Sequence, residues 1–297
     1  MVHGTFVERD SDPHVALRGS LLAGGRRLPA VRAAVPAVPA GELAAETARR
    51  LDADGLFLGA LDTLLADDDF IALGAALGEL IPETDPAVQA HVSQEVLLNL
   101  VSVHPETDDV ALQPFATGAL TLHSEGSGRP VAGQPRYIAL MCCDPGKPAV
   151  TADGRELVPA QTVLVPMADV HEALTPAQRD ILRATRYRGH RSVPTVLREV
   201  DGRPVFSFRD FGTAELHWTS DARGASASDV NDAFRALLAA MYAPDPAGAV
   251  HWARGTFAAI DNTYFFHGRT SGAAHLPKSR RHLKRLRIRT PRHTGDR

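Results

Sequence analysis

The stretch from Ile260 to Arg289, IDNTYFFHGRTSGAAHLPKSRRHLKRLRIR, constrains this chain more than any other. It sets His267 at the end of an apolar run containing Ile260, Tyr264, Phe265 and Phe266, and follows it with Arg281 and Arg285. A histidine on a rigid apolar segment is placed to act as a ligand, and each guanidinium carries a planar fork of donors that matches a carboxylate. Taken alone, the same pattern also describes a structural histidine beside aromatic residues.

A second stretch, GALTLHSEGSGRP from Gly118 to Pro130, narrows the choice. His123 and Glu125 are two apart, so on an extended segment both side chains fall on one face. One imidazole, one carboxylate and a second imidazole from a distant strand make the facial triad that binds non-haem Fe(II) and keeps open positions for other ligands. A bare His-x-Glu is weak evidence. Followed more than a hundred residues later by Asp261-Asn262, His267-Gly268-Arg269-Thr270 and an arginine fourteen places beyond the histidine, it becomes specific.

These residues together resemble the clavaminate synthase-like branch of the TauD/TfdA-type Fe(II)/2-oxoglutarate dioxygenases, many of which hydroxylate free amino acids. The resemblance covers roughly 92–289. It implies that His123, Glu125 and His267 bind iron and that Arg281 pairs with the far carboxylate of 2-oxoglutarate, with O2 as the oxidant. It also makes Thr151 a candidate for the 2-oxoglutarate site and Arg285 the partner of a substrate α-carboxylate. Glu125 would then serve twice, as metal ligand and as acceptor near the substrate ammonium. Gln94 or Glu95 matches the family's polar residue upstream of the first histidine, with a solvent-facing or capping role as the alternative. Asp221, forty-six residues before His267, sits where family hydroxylases of asparagine and arginine hold the substrate's side-chain nitrogen, with Asp210 and Glu215 as replacements.

The fold expected from this reading is mainly β within the α+β class: a double-stranded β-helix, or jelly roll, with flanking helices, whose facing sheets leave a mouth open at one end. At 297 residues, with 44% hydrophobic and 23% charged, one domain spanning 1–297 suffices. Residues 1–90 read as an N-terminal helical elaboration and 187–224 as a lid. The first thirty-odd residues show no stable period, and the Pro/Ala stretch to Ala40 reads as a connector. Apolar spacing predicts helices over 41–54, 69–80, 174–186 and 226–242, with Thr175 capping the third. Strands are expected over 92–103 and over 136–143, which would bury the adjacent Cys142 and Cys143.

Charge excludes some classes. Lys278 to Arg297 holds nine basic residues and one acid, a local +8, so with a net charge of -3 the remainder carries about -11. Leu283, Leu286 and Ile288 interleave with those charges as in a strand, and no aromatic residue within the tail offers a base a stacking surface. No nucleic acid partner is therefore expected. The absence of a long apolar run or a signal-like start points away from membranes and toward the cytosol. The function expected is hydroxylation of a free L-amino acid or derivative, such as arginine, lysine, ornithine or asparagine, in natural-product biosynthesis. Desaturation or cyclisation at the same site, and a non-catalytic metal-binding jelly-roll module, are the rivals.

Overall fold

The computed structural model describes all residues except 32–39, 105, 106, 108, 151–153, 155, 188–191, 244, 246, 272–279 and 291–297. Two antiparallel sheets face one another. The larger runs in the order Leu56–Ala60, Thr256–Asp261, Tyr137–Asp144, His282–Arg289, Leu97–Val101 and Val92–Ser93, with Glu79–Leu80 added to the far end of His282–Arg289. The smaller runs Gly248–Val250, Thr162–Pro166, Phe265–Arg269 and Leu120–His123.

Strand alternation builds the layers. In Tyr137–Asp144, Ile138, Leu140 and Cys142 face the other sheet, while Ala139, Met141 and Cys143 face outward. Both faces are covered, so the segment reads as a continuous apolar run rather than an alternating one. The two cysteines are free and point to opposite sides. Burial pushes the Cys142 thiol up to about 12, which keeps it a small apolar filler at neutral pH. Leu164 and Phe265 of the smaller sheet meet Leu98, Leu140 and Leu283 of the larger in the inner layer. Truncating one such leucine to alanine costs roughly 2–5 kcal/mol.

Helices Leu43–Asp54 and Asp67–Leu77 cover the outer face of the larger sheet through Leu51, Phe70, Leu73 and Leu77. The outer face of the smaller sheet, with Leu122, Val163, Val165 and Phe266, is covered by helices that include Pro176–Ala184 and Ala227–Met241. Thr175 and Ser226 cap these two helices, each in a reciprocal capping box.

The N-terminal expectation needs correcting. Residues 1–90 are more than a helical addition, because Leu56–Ala60 is a strand of the larger sheet, and Val2–Phe6 and Pro13–Leu22 are ordered as a strand and a helix. Val2–Phe6 pairs with Leu216–Ser220, more than two hundred residues away, so no local period announces it. Residues 187–224, expected as a lid, are partly built into the core among the described residues. Their hairpin Leu197–Val200 and Arg203–Phe206 buries Leu197, Val205 and Phe206 in the core beneath the smaller sheet.

Candidate metal centre and its cavities

His267 and His123 lie directly opposite one another on the paired strands Phe265–Arg269 and Leu120–His123. Their ring centroids are 4.3 Å apart. Gly268 permits this approach, since a Cβ there would come within 2.7 Å of the Leu120 carbonyl oxygen. Glu125 follows the end of its strand, where Asn262 holds it by the backbone: the Glu125 N–H donates to Asn262 Oδ1 at 2.7 Å, and Asn262 Nδ2 donates to the Glu125 carbonyl at 3.0 Å. Ser124 is tied on the other side to Phe208 in both directions. The histidine and carboxylate are thus fixed by partners from two distant segments.

One ligand atom from each of His123, Glu125 and His267 can be chosen so that all lie within 4.8 Å of one another, the only such His/Cys/Asp/Glu cluster among the described residues. Glu125 Oε2 is 3.7 Å from His123 Nε2 and 3.8 Å from His267 Nε2. His123 Nδ1 lies 2.7 Å from the Thr121 carbonyl, which only accepts, so Nδ1 carries the proton and the Nε2 lone pair points at the cluster. Burial, followed by the adjacent His267, pushes the His123 imidazole down to about 4, so it is neutral at pH 7. Desolvation alone would raise Glu125, but the nearby Arg285 guanidinium outweighs it and holds the carboxyl well below its usual range. Two imidazoles and a carboxylate converging in a buried place fit a divalent metal with N/O preference.

The cluster stands between two cavities. The larger, about 640 Å³, is lined by His123 and Glu125 and, among others, by Glu83, Tyr187, Arg209 and Phe211. The smaller, about 70 Å³, reaches His267, Arg281 and Thr162 between the sheets. Arg281 is buried, its Nε lacks a hydrogen-bond partner, and desolvation pushes its guanidinium down to about 10. Arg269 beside it is spent on structure, with its guanidinium donating to the carbonyls of Gln113, Pro114, Ala116 and Gly118. Arg285 borders both cavities.

Several sequence candidates fall elsewhere. Gln94 and Glu95 form the exposed turn between Val92–Ser93 and Leu97–Val101, both with positive φ, and Gln94 Nε2 donates to Asp68 on the outer helix. Neither lines a cavity beside the triad, because the strand's inward positions are Leu98 and Leu100. Asp221 is more than half exposed, 3.7 Å from Arg186, and lines neither cavity. Asp210 is buried but locked by Arg18, Tyr242 and the Gly212 N–H, and Glu215 is exposed beside His217. Thr151 lies outside the described residues. Sequence reading missed Glu83 and Arg287, which face Glu125 across the cavity floor. Arg287 had a signal: two beyond Arg285 on a strand, it must share its face.

The family model described as taurine catabolism dioxygenase TauD, TfdA family, matches residues 42–287. No significant match was found among curated proteins. Three solved structures illustrate the fold likeness. PvcB from Pseudomonas aeruginosa is 21% identical with a TM-score of 0.58, over 89% of this chain and 83% of that one. Asparagine oxygenase in complex with Fe(II), 2S,3S-3-hydroxyasparagine and succinate is 17% identical with a TM-score of 0.59, over 96% and 93%. OrfP, a non-haem iron oxygenase in complex with Fe, succinate and (3S)-hydroxy-L-Arg, is 15% identical with a TM-score of 0.60, over 84% and 80%. With four-fifths of its length matched, the jelly-roll sheets in place and a His-Glu-His cluster between them, the chain belongs to the TauD/TfdA family of Fe(II)/2-oxoglutarate-dependent dioxygenases.

Proposed function

We propose that this enzyme hydroxylates an unactivated side-chain carbon of an amino acid or a close derivative. The observation that carries the reading is the convergence of His123, Glu125 and His267 between a cavity of about 640 Å³ and a smaller one that contains Arg281. The three side chains would hold Fe(II), which with 2-oxoglutarate supplies the oxygen chemistry. Arg281 offers a buried guanidinium to the far carboxylate of the keto acid, where low polarity strengthens a charge-assisted pair. Arg285 offers the substrate a carboxylate partner at the cavity floor. Tyr187, Arg209 and Phe211 wall the cavity away from that floor and help to exclude water.

The described part of 187–224 puts no carboxylate on this cavity, since Asp210 and Asp221 are engaged elsewhere. Asp85 and Asp109 line it instead, so the cationic side chains of arginine, lysine and ornithine stay among the candidates beside asparagine. Asparagine oxygenase among the structural neighbours supports an amino-acid substrate, and PvcB, an oxygenase from an isonitrile synthetic pathway, supports a place in specialised biosynthesis.

The test loads the protein anaerobically with Fe(II), then adds 2-oxoglutarate, air and a panel of L-amino acids, and measures succinate and product mass. One amino acid that stimulates succinate and gains one oxygen is the expected result. A product two hydrogens lighter would replace hydroxylation with desaturation or cyclisation. No stimulation by any panel member, with 2-oxoglutarate bound, would overturn the free amino acid as substrate.

A further inference from the structure

The two oxygens of Glu125 have different neighbours. Oε2 faces the Nε2 atoms of both histidines, whereas Oε1 faces two arginines, 3.5 Å from Arg285 Nη1 and 3.6 Å from Arg287 Nη1. Those guanidiniums are gripped from the other side by one residue. Glu83 Oε1 accepts from Arg285 Nη2 at 3.1 Å and Glu83 Oε2 accepts from Arg287 Nη2 at 2.6 Å. Both arginines are therefore bridged by Glu83 behind and meet the same oxygen of Glu125 in front.

Glu83 is itself held rigidly. Its N–H donates to the Glu95 carbonyl at 2.8 Å, its carbonyl accepts from Gln89 Nε2, and two residues earlier Ile81 N–H donates to the carbonyl of Arg287. Its side chain is buried. A carboxylate anchored in this way fixes where the two guanidiniums can sit, and they in turn fix the plane of the Glu125 carboxylate.

We propose that Glu83 is a positioning residue for the metal centre. Acting through Arg285 and Arg287, it holds Glu125 Oε1 away from the two histidines, so that Oε2 alone is presented beside them as a one-oxygen ligand. Partners beyond the direct ligands commonly change metal affinity by about 10–100-fold when removed. The proposal rests on the triad being the metal site, and Glu83 lies forty residues before His123 with no motif of its own.

The test is a Co(II) titration of the full chain, followed through the cobalt d–d absorption bands, alongside the melting temperature of the metal-free protein. Glu83→Gln keeps shape and removes charge, and is expected to bind Co(II) about 10–100-fold more weakly with altered bands. Glu83→Asp keeps the charge and shortens the reach, and is expected to weaken binding severalfold with the same change in bands. Wild-type affinity and bands in Glu83→Asp overturn the proposal, whatever its melting temperature, because a purely structural or charge-balancing role would leave them unmoved. Should Glu83→Gln not fold, Glu83→Asp carries the test. Failure of the wild-type protein to bind Co(II) would instead remove the triad reading on which the proposal stands.

Discussion

Two buried clusters of carboxylates and arginines flank the strand that carries His123, and they are built to different standards. Behind the smaller sheet, Asp210 accepts from Arg18 Nε at 2.7 Å, from Tyr242 OH at 2.6 Å and from the Gly212 N–H at 2.8 Å. Tyr242 OH accepts in turn from the Leu122 N–H, and Arg18 also pairs with Glu8. At the cavity floor, Arg285 and Arg287 reach Glu125 only at 3.5–3.6 Å, and the Nε atoms of both have no hydrogen-bond partner. Saturated short bonds mark the first cluster as a lock on the backbone next to His123. Stretched contacts to Glu125 and unused Nε donors, in front of the ordinary bonds that Glu83 makes behind, mark the second as a surface whose geometry serves something other than stability.

The sharpest way to break this comparison is to cut each cluster once. Asp210→Ala leaves the buried Tyr242 hydroxyl without its acceptor and Arg18 with Glu8 alone, and should cost roughly 2–4 kcal/mol in denaturant unfolding of the metal-free protein. Arg287→Ala leaves Glu83 still paired with Arg285, and should cost no more than about 1–2 kcal/mol. Equal losses, or a larger loss at Arg287, would show that the two clusters do not differ in kind.

Arg281 extends the contrast to the smaller cavity. Its guanidinium is buried at a desolvation cost, and its Nε has no partner. Arg281→Ala should therefore melt at or above the wild-type temperature. Binding of 2-oxoglutarate to the metal-loaded protein should weaken by about 100-fold, the value of a charge-assisted pair in a site of low polarity. A lower melting point with unchanged 2-oxoglutarate binding would make Arg281 a structural residue.

The same contrast explains what the sequence could disclose. Short-range chemistry was legible: His123-Ser124-Glu125 and His267-Gly268-Arg269 carry their spacing with them, the Thr175 cap was local, and the apolar run over 136–143, a strand over Tyr137–Asp144 in the structure, needed no partner to be recognised. Long-range pairing was not. The strand Val2–Phe6 owes its existence to Leu216–Ser220, and Glu83 matters only because the sheet brings Arg285 and Arg287 to it. Asp221 and Asp210 show the limit from the other side. Counting residues back from His267 finds an acid, but the register of Leu216–Ser220 and the bond to Tyr242 decide which way each acid points.

Tyr242→Phe probes the lock more gently. It removes one hydroxyl that accepts from the Leu122 N–H and donates to Asp210, and should cost about 1–2 kcal/mol. The loss should be seen in unfolding, with the packing of the ring kept.

The smallest expected effect separates the phenol's charge from its packing. Burial first, and then the neighbouring Asp210, raise the Tyr242 hydroxyl well above its ordinary value of about 10. The folded protein therefore keeps this proton at a pH where the unfolded chain has begun to lose it. Stability from the buried phenol is fully present below about pH 10 and is lost as pH rises beyond it, by up to about 1.4 kcal/mol per pH unit. Cys142, pushed up to about 12 by burial, adds a loss of the same sign, but it is present in both proteins and cancels when they are compared. Between pH 10 and 11 the wild-type protein should thus lose somewhat under about 1 kcal/mol more than Tyr242→Phe, and the gap between them should narrow. Parallel loss in the two proteins would mean that Tyr242 ionises in the folded state as freely as in the unfolded one. The cluster around Asp210 would then be open to water, and the distinction between lock and cavity floor would fall with it.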